Sequence, residues 1–396
     1  MTKVAILGFG VVGNGVAELL TNNNKQIAAL GGDEVSIKYI LDLRDFPDSP
    51  FSDKVIHDFD TILSDPAVDC VIEAMGGSHP AYEYTLSALK AGKNVITSNK
   101  EVVARYGHEF LQAAEENGIS YRFEAAVGGG IPAISPMISL INQNKITEVR
   151  GILNGTTNYI LTKMFMGGAS FEDSLLDAQE KGYAERNPDA DILGIDACRK
   201  IAILTSLVTG ILPETDNIHT EGITSIRALD VKAAESKGFS IKLLGRCLIC
   251  ESGVTVMVAP FMLSKDSLLS NVSGVYNAIE ILGEPIGNLI FYGQGAGAGA
   301  TASAVVGDLM QIMRSGRCVA QPKMCKTGEG VLPFCDFKCR HYIAIEGADK
   351  AKLPKIFGNV EYIDGEETAF ITEEISEAEL VEKSAGLRVK SHIRVL

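Results

Sequence analysis

Gly8-Phe9-Gly10-Val11-Val12-Gly13 is a G-x-G-x-x-G run that follows the apolar stretch Val4-Ala5-Ile6-Leu7 and opens a helical pattern at Val12, Val16, Leu19 and Leu20. In that place, between a strand and a helix at the start of a βαβ unit, the run is a dinucleotide-binding fingerprint. The turn must be tight and its backbone must come close to a pyrophosphate. The unpaired helix N–H groups then turn the positive end of the dipole toward that anion. At the end of the next strand stand Asp42 and Arg44. The acid would accept a hydrogen bond from the ribose 2′-hydroxyl of NAD, whereas the guanidinium would hold the 2′-phosphate of NADP, so the two point to different cofactors.

Three further segments carry chemistry. Ser98-Asn99-Lys100 falls where a strand meets a helix, the edge at which open α/β sheets bind ligands. Ser98 or Asn99 is a natural N-cap, which places Lys100 in the first turn, against the preference of the helix dipole, and makes it a functional candidate. Glu124-Ala125-Ala126-Val127-Gly128-Gly129-Gly130-Ile131-Pro132 runs from an acid into a glycine turn. Carbonyls freed by such a turn beside a carboxylate suit a hard cation, and the same turn also serves as a plain tight connection. The densest segment is 181–200, in which Asp196 and Lys200 stand i, i+4 on a helix whose buried stripe is Ala197, Ile201 and Leu204. Apolar neighbours disfavour the charged lysine and the aspartate favours it, giving an amine that can exchange a proton near neutral pH. An ordinary exposed ion pair would show the same spacing. Glu185 and Asp191, just ahead on a loop, suggest a ligand bearing an ammonium group.

The elements that must hold these residues follow from periodicity. Strands are expected at 4–7, 35–41, 68–72, 94–97 and 119–123, separated by helices, notably 81–91 and 102–117, closed by Gly92 and Gly118. This alternation predicts an α/β chain with a Rossmann-type, doubly wound parallel sheet over residues 1–130, the dinucleotide-binding domain. From 131 to 314 the pattern becomes α+β, with a hairpin at 241–250 and 254–261, and reads as a second domain. Its last part, the Gly-rich 293–299 and the helix 300–313, is expected to return to the cofactor domain. Residues 315–340, with Cys318, Cys325, Cys335 and Cys339, read as a linker whose cysteine spacing is not that of a zinc site. Residues 341–396 order as β-α-β-β-α-β, a small ferredoxin-like module.

Composition narrows the function classes. A chain of 396 residues fits two or three domains. With 46 % hydrophobic and 22 % charged residues it is globular, and no run approaches the ~18 apolar residues of a membrane span. The formal charge of −14 repels nucleic acid and anionic membranes, leaving basic polymers or small molecules as partners. The amino terminus lacks a cleavable leader pattern, so a cytoplasmic location is expected. Eight cysteines, mostly in apolar surroundings such as Cys70 and Cys198, read as reduced thiols.

Taken together, residues 1–314 resemble the homoserine dehydrogenases. The likeness rests on the glycine fingerprint, Thr97-Ser98-Asn99-Lys100, 124–132, Gly151-Ile152-Leu153-Asn154-Gly155-Thr156-Thr157-Asn158-Tyr159-Ile160-Leu161, 182–200, and Gly295-Ala296-Gly297 with Thr301-Ala302-Ser303-Ala304-Val305. The resemblance implies reversible NAD(P)-dependent interconversion of L-aspartate 4-semialdehyde and L-homoserine, a step toward threonine, methionine and isoleucine. It implies Lys200 as general acid and base, Lys100 as a second catalytic lysine and Asp196 orienting the amine. Glu185, Asp191, Asp196, Thr156 and Tyr183 would bind substrate. Gly8 to Gly13 with Arg44, Ser98, Lys100, Gly182 and Gly297 would bind the cofactor. Glu124 with Val127, Gly129 and Ile131 would hold Na+ or K+, and a homodimer or homotetramer is implied. The last module resembles a shortened ACT domain without an obvious effector-binding turn. An aspartate-semialdehyde dehydrogenase would need a cysteine nucleophile in a strand-end loop, and none is present.

Overall fold

The computed structural model describes residues 1–315, 323–326, 330–347 and 350–396; Cys318 lies outside them. The chain forms two compact units. One comprises Met1–Gln143, Ala202–Thr215 and Gly293–Thr327; the other comprises Asn144–Ile201, Asp216–Tyr292 and Gly328–Leu396.

In the first unit β1 (Thr2–Leu7), β2 (Val35–Leu41), β3 (Val55–Ile56), β4 (Cys70–Glu73), β5 (Asn94–Thr97) and β6 (Tyr121–Arg122) form a six-stranded sheet in the order β3-β2-β1-β4-β5-β6. Every pairing is parallel. Val4, Ala5, Ile6 and Leu7 are fully buried, as expected of a parallel strand covered on both faces. The connections carry α1 (Val11–Asn22), α2 (Asn24–Gly31), α3 (Phe59–Ser64), α4 (Ala81–Lys90) and α5 (Lys100–Glu116). The helix Ala298–Ser315 packs Ala302, Val305 and Leu309 with Val16 and Leu20 of α1 in one core. The short α2 does not stand out in the sequence, because Asn23, Asn24, Gly31 and Gly32 are poor helix formers and only Ile27 and Gly31 are buried.

In the second unit the hairpin Phe239–Cys250 with Gly253–Ser264 is longer than its sequence outline, twelve residues a side. It belongs to an eleven-stranded sheet that also contains β7 (Lys145–Ile152) and a second hairpin, Tyr276–Glu284 with Gly287–Gln294. The sheet does not stop at residue 292. Val389–Val395 adds in parallel to Gly253–Ser264 through Phe261↔Arg394 and Met262↔Val395, followed by Lys338–Ile345, Thr368–Thr372 and Val360–Ile363. The carboxyl-terminal strands are therefore an extension of the same sheet, because the strand edge left open by Gly253–Ser264 is closed by pairing. The described residues between 323 and 340 do more than link. Cys325–Lys326 pairs in parallel with Ile211–Leu212 in the first unit, and Phe337 and Cys339 join the core around Ile152 and Leu244 in the second.

Helix α6 (Ile134–Leu140) precedes β7, and between β7 and residue 209 lie α7 (Gly155–Gly167), α8 (Phe171–Glu180), α9 (Asp189–Ile192) and α10 (Ile195–Thr209). No described helix is long and apolar enough to cross a membrane.

Candidate active site

The glycine fingerprint has three separate reasons for its glycines. At Gly8 φ is +88° and a Cβ would sit 2.9 Å from the Ala74 carbonyl oxygen. At Gly13 a Cβ would lie 2.0 Å from the Gly8 carbonyl oxygen, so only glycine lets α1 start this close to β1. At Gly10, the N-cap of α1, a Cβ would meet nothing within 4 Å. That open space lies in front of a twelve-residue helix, whose free backbone N–H groups favour an anionic group. Phe9 is buried, with its ring edge-on to Phe46 at 5.0 Å, and Val12 packs on the same core; Val11 points outward.

Asp42 and Arg44 answer one another. The Asp42 carboxylate accepts from Phe9 N–H at 2.8 Å and from the Arg44 guanidinium at 3.0 and 3.1 Å, and the guanidinium holds its carboxyl down at about 2. Both line a cavity of about 460 Å³ with Gly8, Gly10, His57 and Met75. At the end of β5 the cap of α5 is Asn99 and not Ser98. Asn99 Oδ1 accepts from the N–H groups of Glu101 and Val102 at 3.2 and 3.5 Å, and its Nδ2 donates to the Gly77 carbonyl at 2.8 Å. Lys100 is the first residue of α5 and is half-buried. Gly297, at φ +121°, precedes the helix Ala298–Ser315 in the same unit.

In the second unit the Asp196–Lys200 pair is buried, with side chains 5 % and 8 % exposed, and is not a solvated helix pair. Lys200 Nζ donates to Asp196 Oδ2 at 2.8 Å and to the Leu153 carbonyl at 2.7 Å. Asn154, which spacing did not single out, joins the acids: its Nδ2 donates to Asp191 Oδ1 at 2.7 Å and to Asp196 Oδ2 at 2.9 Å. Its Oδ1 caps α7 through Thr157 N–H at 2.9 Å, so a helix start fixes the amide that holds both carboxylates. Burial pushes the Asp191 carboxyl up, with Asp196 adding to the effect. Thr156 Oγ1 donates to the Tyr183 carbonyl at 2.6 Å and so ties the 182–188 loop to α7. Tyr183 and Gly182 are exposed, and the Tyr183 ring rests against Tyr159. Glu185 is exposed and makes no side-chain hydrogen bond or ion pair with a described residue. The cluster is an amine fixed by two acceptors beside two carboxylates, a group that can give a proton to an oxygen and take it back.

Comparison with known proteins identifies the family. The family model described as "Homoserine dehydrogenase, NAD binding domain" matches residues 8–124, and the one described as "Homoserine dehydrogenase" matches residues 132–310. A homoserine dehydrogenase of Synechocystis sp. is 42 % identical over 78 % of this chain and 73 % of its own length. The chain belongs to the homoserine dehydrogenase family. The crystal structure of a homoserine dehydrogenase from Thiobacillus denitrificans superposes with a TM-score of 0.92 at 32 % identity, covering 100 % of this chain and 98 % of that one. A hyperthermophilic archaeal homoserine dehydrogenase mutant in complex with NADPH has a TM-score of 0.69 at 26 % identity, covering 81 % of this chain and 99 % of that one. As a homoserine dehydrogenase the chain is an NAD(P)-dependent oxidoreductase that interconverts L-aspartate 4-semialdehyde and L-homoserine.

Two other clusters bear on this homoserine dehydrogenase. The Glu124 side chain caps α6: its oxygens accept the N–H groups of Ala133 and Ile134, each at 2.7 Å, and of Ser135 at 2.8 Å. Three accepted hydrogen bonds hold that carboxylate at the start of α6. Gly128 and Gly129 have φ of +77° and +57°, the left-handed backbone that bends this turn. Cys339, His341 and Glu377 also converge in the carboxyl-terminal part, a grouping of metal-ligand types. They are already engaged: His341 Nδ1 meets His392 Nε2 at 2.9 Å, its Nε2 meets the Ile375 carbonyl at 3.2 Å, and both Glu377 oxygens accept from Arg394 at 2.6 and 3.0 Å. This is a buried ion-paired joint of the sheet and does not fit a metal.

Proposed function

We propose that Lys200 is the general acid and base of this homoserine dehydrogenase. The observation that carries the reading is its burial on the Leu153 carbonyl and Asp196. NAD(P)H, when bound, supplies the hydride that reduces the aldehyde. Reduction builds negative charge on the aldehyde oxygen; the Lys200 ammonium stabilises that charge and hands over the proton, and in homoserine oxidation the amine takes it back. Asp196 orients the amine, and Asn154 keeps Asp196 and Asp191 side by side in spite of their like charge. Asp191 and Glu185 answer the substrate ammonium, with Thr156 and Tyr183 shaping the pocket, and Lys100 is the second catalytic lysine. Residues 1–130 act as the dinucleotide-binding domain and 131–314 as the substrate-binding and dimerisation domain. Gly8, Phe9, Gly10, Val11, Val12 and Gly13, with Arg44, Ser98, Lys100, Gly182 and Gly297, contact the cofactor. A Na+ or K+ ion is held by Glu124 with the carbonyls of Val127, Gly129 and Ile131.

The carboxyl-terminal strands follow one another across the sheet as Val389–Val395, Lys338–Ile345, Thr368–Thr372 and Val360–Ile363, which supports a ferredoxin-like, shortened ACT-like module. Its role is support of a homodimer or homotetramer of this cytoplasmic enzyme and not effector sensing. Initial rates of homoserine oxidation with NAD and with NADP, each with and without Na+ or K+, test the whole reading. Turnover with at least one nucleotide is expected, raised by a monovalent cation and unchanged by threonine. No turnover with either would overturn the assignment, and strong threonine inhibition would overturn the role of the module.

Cofactor preference turns on whether Arg44 leaves Asp42 for a 2′-phosphate. A charge-assisted contact of that kind is worth about 1.5–3 kcal/mol, so Arg44→Ala is expected to lower kcat/KM for NADP by about tenfold or more relative to NAD. An unchanged NADP to NAD ratio would show that the guanidinium does not touch the phosphate.

A further inference from the structure

Glu73, the last residue of β4, is fully buried although it stands at the carboxyl edge of the sheet, where ligands of this fold bind. In register it lies between Leu7 of β1 and Thr97 of β5, the residues that immediately precede the glycine fingerprint and Ser98-Asn99-Lys100. Its two oxygens are divided between two loops. Oε1 accepts the Met75 N–H at 2.8 Å, and Met75 lines the cofactor cavity. Oε2 accepts the Thr97 hydroxyl, whose oxygen accepts the Asn99 N–H at 2.9 Å. Asn99 completes the junction by capping α5, which begins at Lys100, and by holding the Gly77 carbonyl. One carboxyl thus ties the cavity wall to the helix start.

We infer that Glu73 is a positioning residue whose ionised carboxylate sets the 74–77 wall of the cofactor cavity and the start of the helix at Lys100. The inference rests on the cofactor-site reading given above. An ionised carboxylate accepts from both loops. A protonated one must donate, and Thr97 Oγ1 is the acceptor within reach; the Thr97 hydroxyl proton then has to turn away from Glu73, and Oγ1 has to accept from Glu73 as well as from the Asn99 N–H, which weakens its hold on the start of α5. Burial pushes the Glu73 carboxyl up to about 7, against the hydrogen bonds of Thr97, Met75 and Asn99 that favour its charge. The titratable group facing it from β6 is the Tyr121 phenol, itself raised by burial; Leu7 and Thr97 face it from β1 and β5.

The signs of two effects are opposite, which separates positioning from packing. Because the raised carboxyl favours the protonated folded state, its contribution to stability falls as pH rises through about 7. Cofactor affinity rises over the same range, because only the ionised form sets the wall. His57 in the cavity acts the other way, since its protonation at low pH would favour an anionic cofactor.

The test is NADPH binding to the full chain without substrate, followed by fluorescence between pH 6 and 8, with Tm measured alongside. Wild type is expected to bind about tenfold more weakly at pH 6 than at pH 8, the competent fraction falling by that factor. Glu73→Gln, which keeps the shape but cannot ionise, is expected to stay near the weak value throughout, while its Tm at pH 8 equals or exceeds that of wild type. pH-independent binding in wild type, or an affinity that rises with pH in Glu73→Gln as it does in wild type, overturns the inference alone, whereas the His57 effect has the opposite sign. Failure of wild type to bind NADPH at any pH overturns the cofactor reading with it.

Discussion

Lys200→Arg is expected to lower kcat for homoserine oxidation by about 10²–10⁴-fold while the protein folds and binds nicotinamide nucleotide as wild type does. The guanidinium keeps a positive charge beside Asp196, so the buried carboxylate is not left without a cation, a loss that would cost about 3–5 kcal/mol. What arginine cannot do is exchange a proton near neutral pH, since its charge is fixed in proteins. Lys200→Ala removes both the proton and the ion pair, and is expected to match the arginine variant in lost turnover and to fall below it in Tm. Turnover of Lys200→Arg within a few-fold of wild type would take Lys200 out of proton transfer. The Leu153 carbonyl and Asp196 would then be holding a merely structural amine.

The second large effect is at Gly10. The conformation there, φ −82° and ψ −155°, is open to any residue, and a side chain would meet no protein atom within 4 Å. Gly10→Val is therefore expected to fold with a loss of no more than about 1 kcal/mol, the scale of a changed N-cap. It fills the space in front of the α1 N–H groups, so nucleotide affinity is expected to fall by about a hundredfold or more, close to 3 kcal/mol. Gly13→Val is the contrasting variant. Its Cβ would be driven into the Gly8 carbonyl at 2.0 Å, and overpacking of that kind destabilises by about 1–3 kcal/mol or more. Equilibrium unfolding and nucleotide titration of the two variants distinguish the roles. Near-normal affinity in Gly10→Val would mean that the pyrophosphate does not lie at this helix start.

Features governed by local geometry were legible. The glycine run, its strand and its helix lie within a few residues of one another, and the alternation of strands and helices after it leaves one economical arrangement, the parallel sheet. Asp196 and Lys200 are one helical turn apart, so their pairing is a matter of helix period. The contacts that complete the site are not local. Asn154 reaches Asp191 and Asp196 across 37 and 42 residues, and Glu124 caps a helix that starts ten residues later. Asparagine and glutamate in loops look alike whether they hold a catalytic acid, a helix end or water, so composition carries no signal for such roles. Glu73 reads in the sequence as the polar end of a strand, and only the register beside Thr97 shows what it joins.

By itself the sequence determined the fingerprint, the alternation of the longer strands and helices in the first 130 residues, though not α2, β3 or α3, and the spacing of the lysine and its aspartate, because each depends on backbone conformation over one or two turns of chain. Tertiary structure alone decided that the Lys200 pair is buried, that the Glu124 carboxylate is held at the start of α6, and that the last strands extend the larger sheet. The reason is physical: burial and hydrogen-bond partnership are set by which distant segments pack together, and two register pairs, Phe261↔Arg394 and Met262↔Val395, suffice to join segments that lie far apart along the chain.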